Sequence, residues 1–129
     1  MEPKEIQITA GKVSVRANLN NSITASKVWE ALPIRARANR WGDEIYFKIP
    51  VKMEEENPKS IVEMGELGYW PDGEAFCIFF GPTPVSKAGQ IQPASPVNPI
   101  GKVSGDPKVL KEVGQGEAIT LEKVKEARS

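Results

Sequence analysis

The stretch Leu67-Gly68-Tyr69-Trp70-Pro71-Asp72-Gly73-Glu74-Ala75-Phe76-Cys77-Ile78-Phe79-Phe80 decides the fold. Leu67 to Trp70 reads as a short strand closed by Pro71-Asp72-Gly73, because Asp-Gly supplies the backbone freedom of a tight hairpin. Ala75 to Phe80 is apolar at every position, so both faces of that strand must be covered and the strand must be central. Cys77 within it reads as an inert core thiol, and Phe79 as a core ring. A short antiparallel hairpin with a doubly buried second strand calls for further strands on either side.

Upstream, Ile6, Ile8 and Ala10 alternate with polar residues, and Val13, Val15 and Ala17 do the same after Gly11. That is the period of half-buried strands, joined by a turn at Ala10-Gly11-Lys12. The period then changes. Ala25, Val28, Trp29 and Leu32 fall on one face of a helix, capped by Ser22 or Thr24 and ended by Pro33, with Trp29 as its core anchor. Ile34, Ala36 and Ala38 alternate with Arg35, Arg37 and Asn39. After a turn at Trp41-Gly42-Asp43, Ile45, Phe47, Ile49 and Val51 alternate with Glu44, Tyr46 and Lys48. The polar faces of these two strands bring Arg35, Arg37, Glu44 and Tyr46 toward one another. Met53 to Lys59 is a charged loop, and Ile61 to Met64 a short strand.

Downstream, five prolines between Pro82 and Pro99 predict an ordered loop, since proline cannot donate to a strand ladder. Its apolar residues predict that it packs on the body. Val97 to Val103 contains a strand. Asp106-Pro107 opens a second helix with Val109, Leu110 and Val113 on its apolar face and Gly114 at its stop. Ala118 to Leu121 is the last strand, with Ile119 and Leu121 inward and the first strand as its neighbour. About eight short strands and two helices, punctuated by glycine and proline, predict a closed or nearly closed antiparallel barrel.

The 129 residues make one domain, residues 1–129. Seventeen basic and seventeen acidic residues give no net charge, which argues against a nucleic-acid partner. No histidine occurs, so histidine triads, zinc–histidine sites and imidazole acid–base chemistry are excluded. A single cysteine excludes an intrachain disulfide. No apolar run of signal-peptide or membrane-spanning length is present, so a cytoplasmic protein without a membrane partner is expected. Glu54-Glu55-Glu56 lacks the glycine spacing of a metal loop, and Gly101-Lys102 and Gly114-Gln115-Gly116 lack the rest of a phosphate motif. No metal and no cofactor are expected.

Three segments carry a resemblance: Asn39 to Pro50, Gly68 to Pro84, and Pro93 to Val103. Together they resemble a family of small, functionally uncharacterised prokaryotic proteins with a cyclophilin-like fold. The resemblance implies a closed antiparallel eight-stranded barrel capped by two short helices. Phe76-Cys77-Ile78-Phe79 is also similar to the aromatic strand beside the proline pocket of true cyclophilins, and Ile100-Gly101-Lys102-Val103 to their late strand. The Phe-His-Arg strand, the Phe-Met-Gln-Gly-Gly stretch and the active-site histidine of that family are absent here.

The leading functional expectation is a binding module holding a peptide segment or small molecule in an aromatic-lined pocket. Candidate ligand-binding residues are Arg35, Arg37, Glu44, Tyr46, Trp70, Phe76, Phe80 and Thr83. Trp70 and Phe80 stand at strand ends, where pockets open. The alternative is a divergent peptidyl-prolyl isomerase. A guanidinium can stabilise a twisted amide without titrating, and Arg37 follows the arginine of true cyclophilins in chain order. A further alternative is a structural subunit of a homo- or hetero-oligomer.

Overall fold

The computed structural model describes residues 4–124. Nine strands form one antiparallel sheet: β1 (Lys4–Ala10), β2 (Val13–Leu19), β3 (Ile34–Arg37), β4 (Asn39–Arg40), β5 (Glu44–Lys48), β6 (Glu66–Trp70), β7 (Ala75–Phe79), β8 (Asn98–Ser104) and β9 (Ala118–Lys123). Their spatial order is β3-β9-β1-β2-β8-β6-β7-β5-β4. The two ends of this sheet, β3 and β4, are successive pieces of one ribbon broken only at Ala38. Its first half pairs with β9 and its second half with β5. The sheet therefore curls into a nearly closed barrel. Counting the ribbon as one gives the eight strands that the resemblance implies.

The terminal strands meet as the alternation predicted, with Ile8 opposite Leu121 and Ala10 opposite Ile119. Inside the barrel, the rings of Phe47 and Phe76 stack with centroids 5.4 Å apart. The Tyr69 hydroxyl donates to the Val51 carbonyl at 2.6 Å, which satisfies its one polar atom in the core.

Helix α1 (Ile23–Ala31) lays Ala25, Val28 and Leu32 into the same core, and Ser22 Oγ caps its first turn by accepting from Ala25 N. Trp29 is half-buried at the edge of the core, with the Lys123 ammonium 4.9 Å from its ring. It is a lid over the core rather than the anchor expected. A 3-10 helix (Pro107–Glu112), opened by Asp106, contributes Leu110, and Val113 follows at its end. Val109 is exposed instead of buried, because three residues per turn put it on another side from Leu110 and Val113. Ile61 to Met64 is not a strand. Isolated bridges, Val62 to Ile91 and Lys59 to Val97, tie that loop down together with the ion pairs Lys59–Glu66 and Lys102–Glu63.

β7 is buried on both faces for two different reasons. Phe76 and Ile78 face the barrel core, whereas Cys77 and Phe79 face outward under a second apolar layer with Val62, Ile91 and Val97. That layer is made by the proline-rich segment and by Val62 of the loop before β6, packed on the outside of β6, β7 and β5. Gly68 makes the approach possible. A Cβ there would stand 2.7 Å from Val97 Cγ2. Among the described residues no helix is long and apolar enough to cross a membrane.

Candidate functional site

The hairpin joining β4 to β5 places the first two site residues. Trp41 and Glu44 exchange backbone hydrogen bonds of 3.0 and 3.2 Å around Gly42-Asp43. Gly42 takes φ +61°, as the first central position of a two-residue hairpin loop requires. Directly opposed residues share a face of the sheet, so the Trp41 and Glu44 side chains both point outward. Asn39 faces Tyr46 one step further along. Asp43 turns away, with its carboxylate 3.4 Å from Arg40 and 3.8 Å from Lys111.

On the next strands the outward positions are Cys77, opposite Tyr46, and Trp70, opposite Ala75. The proline-rich segment closes over them. The result is a cavity of about 280 Å3 lined by Trp41, Glu44, Tyr46, Trp70, Cys77 and the segment Pro93–Ser95 with Val97. Glu44 and Tyr46 form the floor, Trp41 and Trp70 the walls, and the Pro93–Val97 chain the cover.

Glu44 is 6% exposed. None of the ion pairs among the described residues involves it. Removal from water therefore dominates, and it pushes the carboxyl up to about 7, with the neighbouring Cys77 thiol pulling weakly the other way. Burial and the Glu44 carboxyl in turn push the Cys77 thiol well above its ordinary value, so it stays protonated. The Trp70 Nε1–H is buried with no acceptor. What Trp70 shows to the cavity is therefore ring carbon. Among the described residues no group of three or more cysteine or acidic side chains gathers as a metal site would need.

Of the candidates read from sequence, the structure brings together Glu44, Tyr46 and Trp70. Phe76 and Phe80 do not line the cavity. Both are wholly buried in the barrel core, because their parity along the strand is opposite to that of Cys77 and Phe79. The Arg40 guanidinium lies 5.1 Å from the Phe80 ring. Thr83 is buried inside its own loop, where its hydroxyl donates to the Gln92 carbonyl at 2.5 Å and its amide to Ser86 Oγ at 2.9 Å. Arg35 and Arg37 stand exposed on β3, away from the cavity, and Arg37 donates to the Gly116 carbonyl at 3.0 Å. Trp41 was legible as an aromatic near the turn, but its pairing with Glu44 was not. Cys77, Pro93, Ala94, Ser95 and Val97 reach the site only through the packing of the loop.

A nearly closed antiparallel barrel of this strand order, with one helix after the second strand and another before the last, defines the cyclophilin-like class. The family model described as cyclophilin-like matches residues 4–122, and the chain belongs to that family. It is similar to a hypothetical protein of Archaeoglobus fulgidus solved in solution. The identity is 39% over 95% of each chain, and the TM-score is 0.80. No curated protein matches the sequence.

Proposed function

We propose that this chain is a binding module whose ligand enters the cavity between Trp41 and Trp70. The ligand is a small molecule, or one side chain of a peptide segment, because about 280 Å3 lies just below the volume range of drug-sized pockets. The observation that carries this reading is the lining itself. Three aromatic side chains and a proline surround one buried carboxyl that has no ion-pair partner. Burying a carboxyl without compensation is costly, and a structural core gains nothing from it. A site that recognises something uses such a group for orientation.

The test is a titration of the isotope-labelled chain with a library of small molecules and short peptides, followed by backbone amide shifts. Binders should move Trp41, Glu44, Tyr46, Trp70 and Cys77 together. Shifts confined to another surface would overturn the assignment of the site.

A further inference from the structure

Resting on that reading, we infer that the cavity takes the head of an organic ammonium ion, with its charge against the Glu44 carboxyl and its alkyl groups against the rings of Trp41, Tyr46 and Trp70. Three features of the lining select this chemistry. Indole and phenol faces are electron-rich and attract cations, most strongly where water is excluded. The Glu44 carboxyl is the one side chain of the lining that ionises near neutral pH, and no lysine or arginine lines the cavity with it. The donors of the lining, the Tyr46 and Ser95 hydroxyls and the Cys77 thiol, are all neutral, and the Trp70 Nε1–H is buried, so an anion would meet the Glu44 acid with no cationic group to offset it. A cation meets one carboxyl and three aromatic rings.

The groups facing Glu44 sharpen the expectation. Cys77 faces it from β7, Tyr46 lies on its own strand, Trp41 stands across the hairpin and Ser95 comes from the covering loop. None of them bears a positive charge. Asp43, its chain neighbour, is engaged by Arg40 and Lys111. An arriving cation therefore supplies the missing counter-charge and favours the ionised carboxyl. Binding below pH 7 should release a proton, and affinity should rise with pH up to that point.

The ammonium head could be a free quaternary amine or a methylated lysine on a peptide, and the test separates these sources. The full chain is titrated at pH 7.5 with choline, and with 3,3-dimethylbutan-1-ol, its neutral carbon isostere. It is titrated in parallel with a short peptide carrying trimethyllysine and with the same peptide carrying norleucine. The expected result is that one charged probe moves the amides of Trp41, Glu44, Tyr46 and Trp70 and binds roughly tenfold or more tighter than its neutral counterpart. Which charged probe does so names the source. Glu44→Gln should lose roughly tenfold in affinity for the charged probe and none for the neutral one. Calorimetry at pH 6.5 in two buffers of different ionisation enthalpy should show proton release by the wild type and none by Glu44→Gln. Equal or tighter binding of the neutral isosteres would overturn the ammonium assignment and leave the cavity as a site for apolar groups. If no probe moves the cavity amides, the ammonium assignment falls as well. The wider library decides separately whether the cavity is a site at all.

Discussion

Trp41 and Glu44 are held opposite each other by two backbone hydrogen bonds across a two-residue turn. One wall of the cavity and its only acid thus sit on a single stiff unit. That turn is itself clamped, because Asp43 N donates to the Pro82 carbonyl and Phe80 N to the Asp43 carbonyl, each at 2.9 Å. The cavity is preorganised on one side by a hairpin and on the other by a loop that the hairpin supports.

The buried acid makes stability depend on pH. The Glu44 carboxyl titrates near 7 when folded and near 4.5 when unfolded. Between those values the folded chain keeps a proton that the unfolded chain has lost. Stability should therefore fall as pH rises from about 4.5 to about 7, by up to ~3 kcal/mol from this group. Glu44→Gln should flatten that limb in thermal melts and raise the melting temperature at pH 8 while changing little at pH 4.5. A limb of unchanged slope in the variant would refute the assignment.

Gly68→Ala should cost ~1–3 kcal/mol, the usual penalty for forcing extra volume into a packed site. The added methyl drives Val97 outward and lifts the cover of the cavity with it. Denaturant melts measure the first effect. Faster amide exchange across residues 91–97 measures the second. Unchanged exchange would show that the cover does not rest on Gly68.

A polar cluster at the start of α1 should fail in acid. Glu56 accepts from the backbone amides of Ile23 and Thr24 and from the Thr24 hydroxyl, which holds its carboxyl below the ordinary value. Its contribution is complete above about pH 4.5 and is lost as pH falls further, opposite in sign to that of Glu44. Glu56→Gln should make the melting temperature less sensitive to acid below pH 4.5.

Asn98 completes the same cluster. It is fully buried, donates to Thr24 Oγ1 and the Glu54 carbonyl, and accepts from Glu56 N. Asn98→Ala removes the partners of the Glu54 carbonyl and the Glu56 amide and one of the two bonds of the Thr24 hydroxyl, and should cost ~2–3 kcal/mol in denaturant melts. A loss below about 0.5 kcal/mol would mean that water replaces the amide.

Arg37→Lys should leave both stability and cavity binding unchanged, since the side chain is exposed and meets only the Gly116 carbonyl. The check is a prolyl-isomerisation assay alongside the ligand titration. Turnover by the wild type that disappears in Arg37→Lys, with the melt intact, would move the functional centre away from the cavity.

The alternation of Ile6, Ile8 and Ala10 and that of Ile119 and Leu121 mark the inward faces of the first and last strands, because burial on one face leaves a period-two imprint. The doubly apolar run from Ala75 to Phe80 was legible as buried. It does not reveal which parity faces the barrel and which faces the proline-rich layer, and the structure puts Phe76 and Phe80 in the barrel core and not at the cavity. That parity is set by the register of β7 against β5, which a single strand does not encode. Thr83 misled for a related reason, since a hydroxyl in a loop serves backbone turns as readily as ligands. The outward direction of Glu44 is legible in the alternation of its strand, but its burial depends on a loop about fifty residues away.

The ribbon from Ile34 to Arg40 has a bearing on how this molecule meets others. A barrel leaves an aggregating partner few strand edges to template on, and here the unpaired edges are those of a four-residue and a two-residue piece. Short edges that carry outward charge are the means by which sheet proteins repel strand addition. Arg35 and Arg37 put two guanidinium groups on the longer of them. Two like charges on so short an edge disfavour the docking of a further strand there.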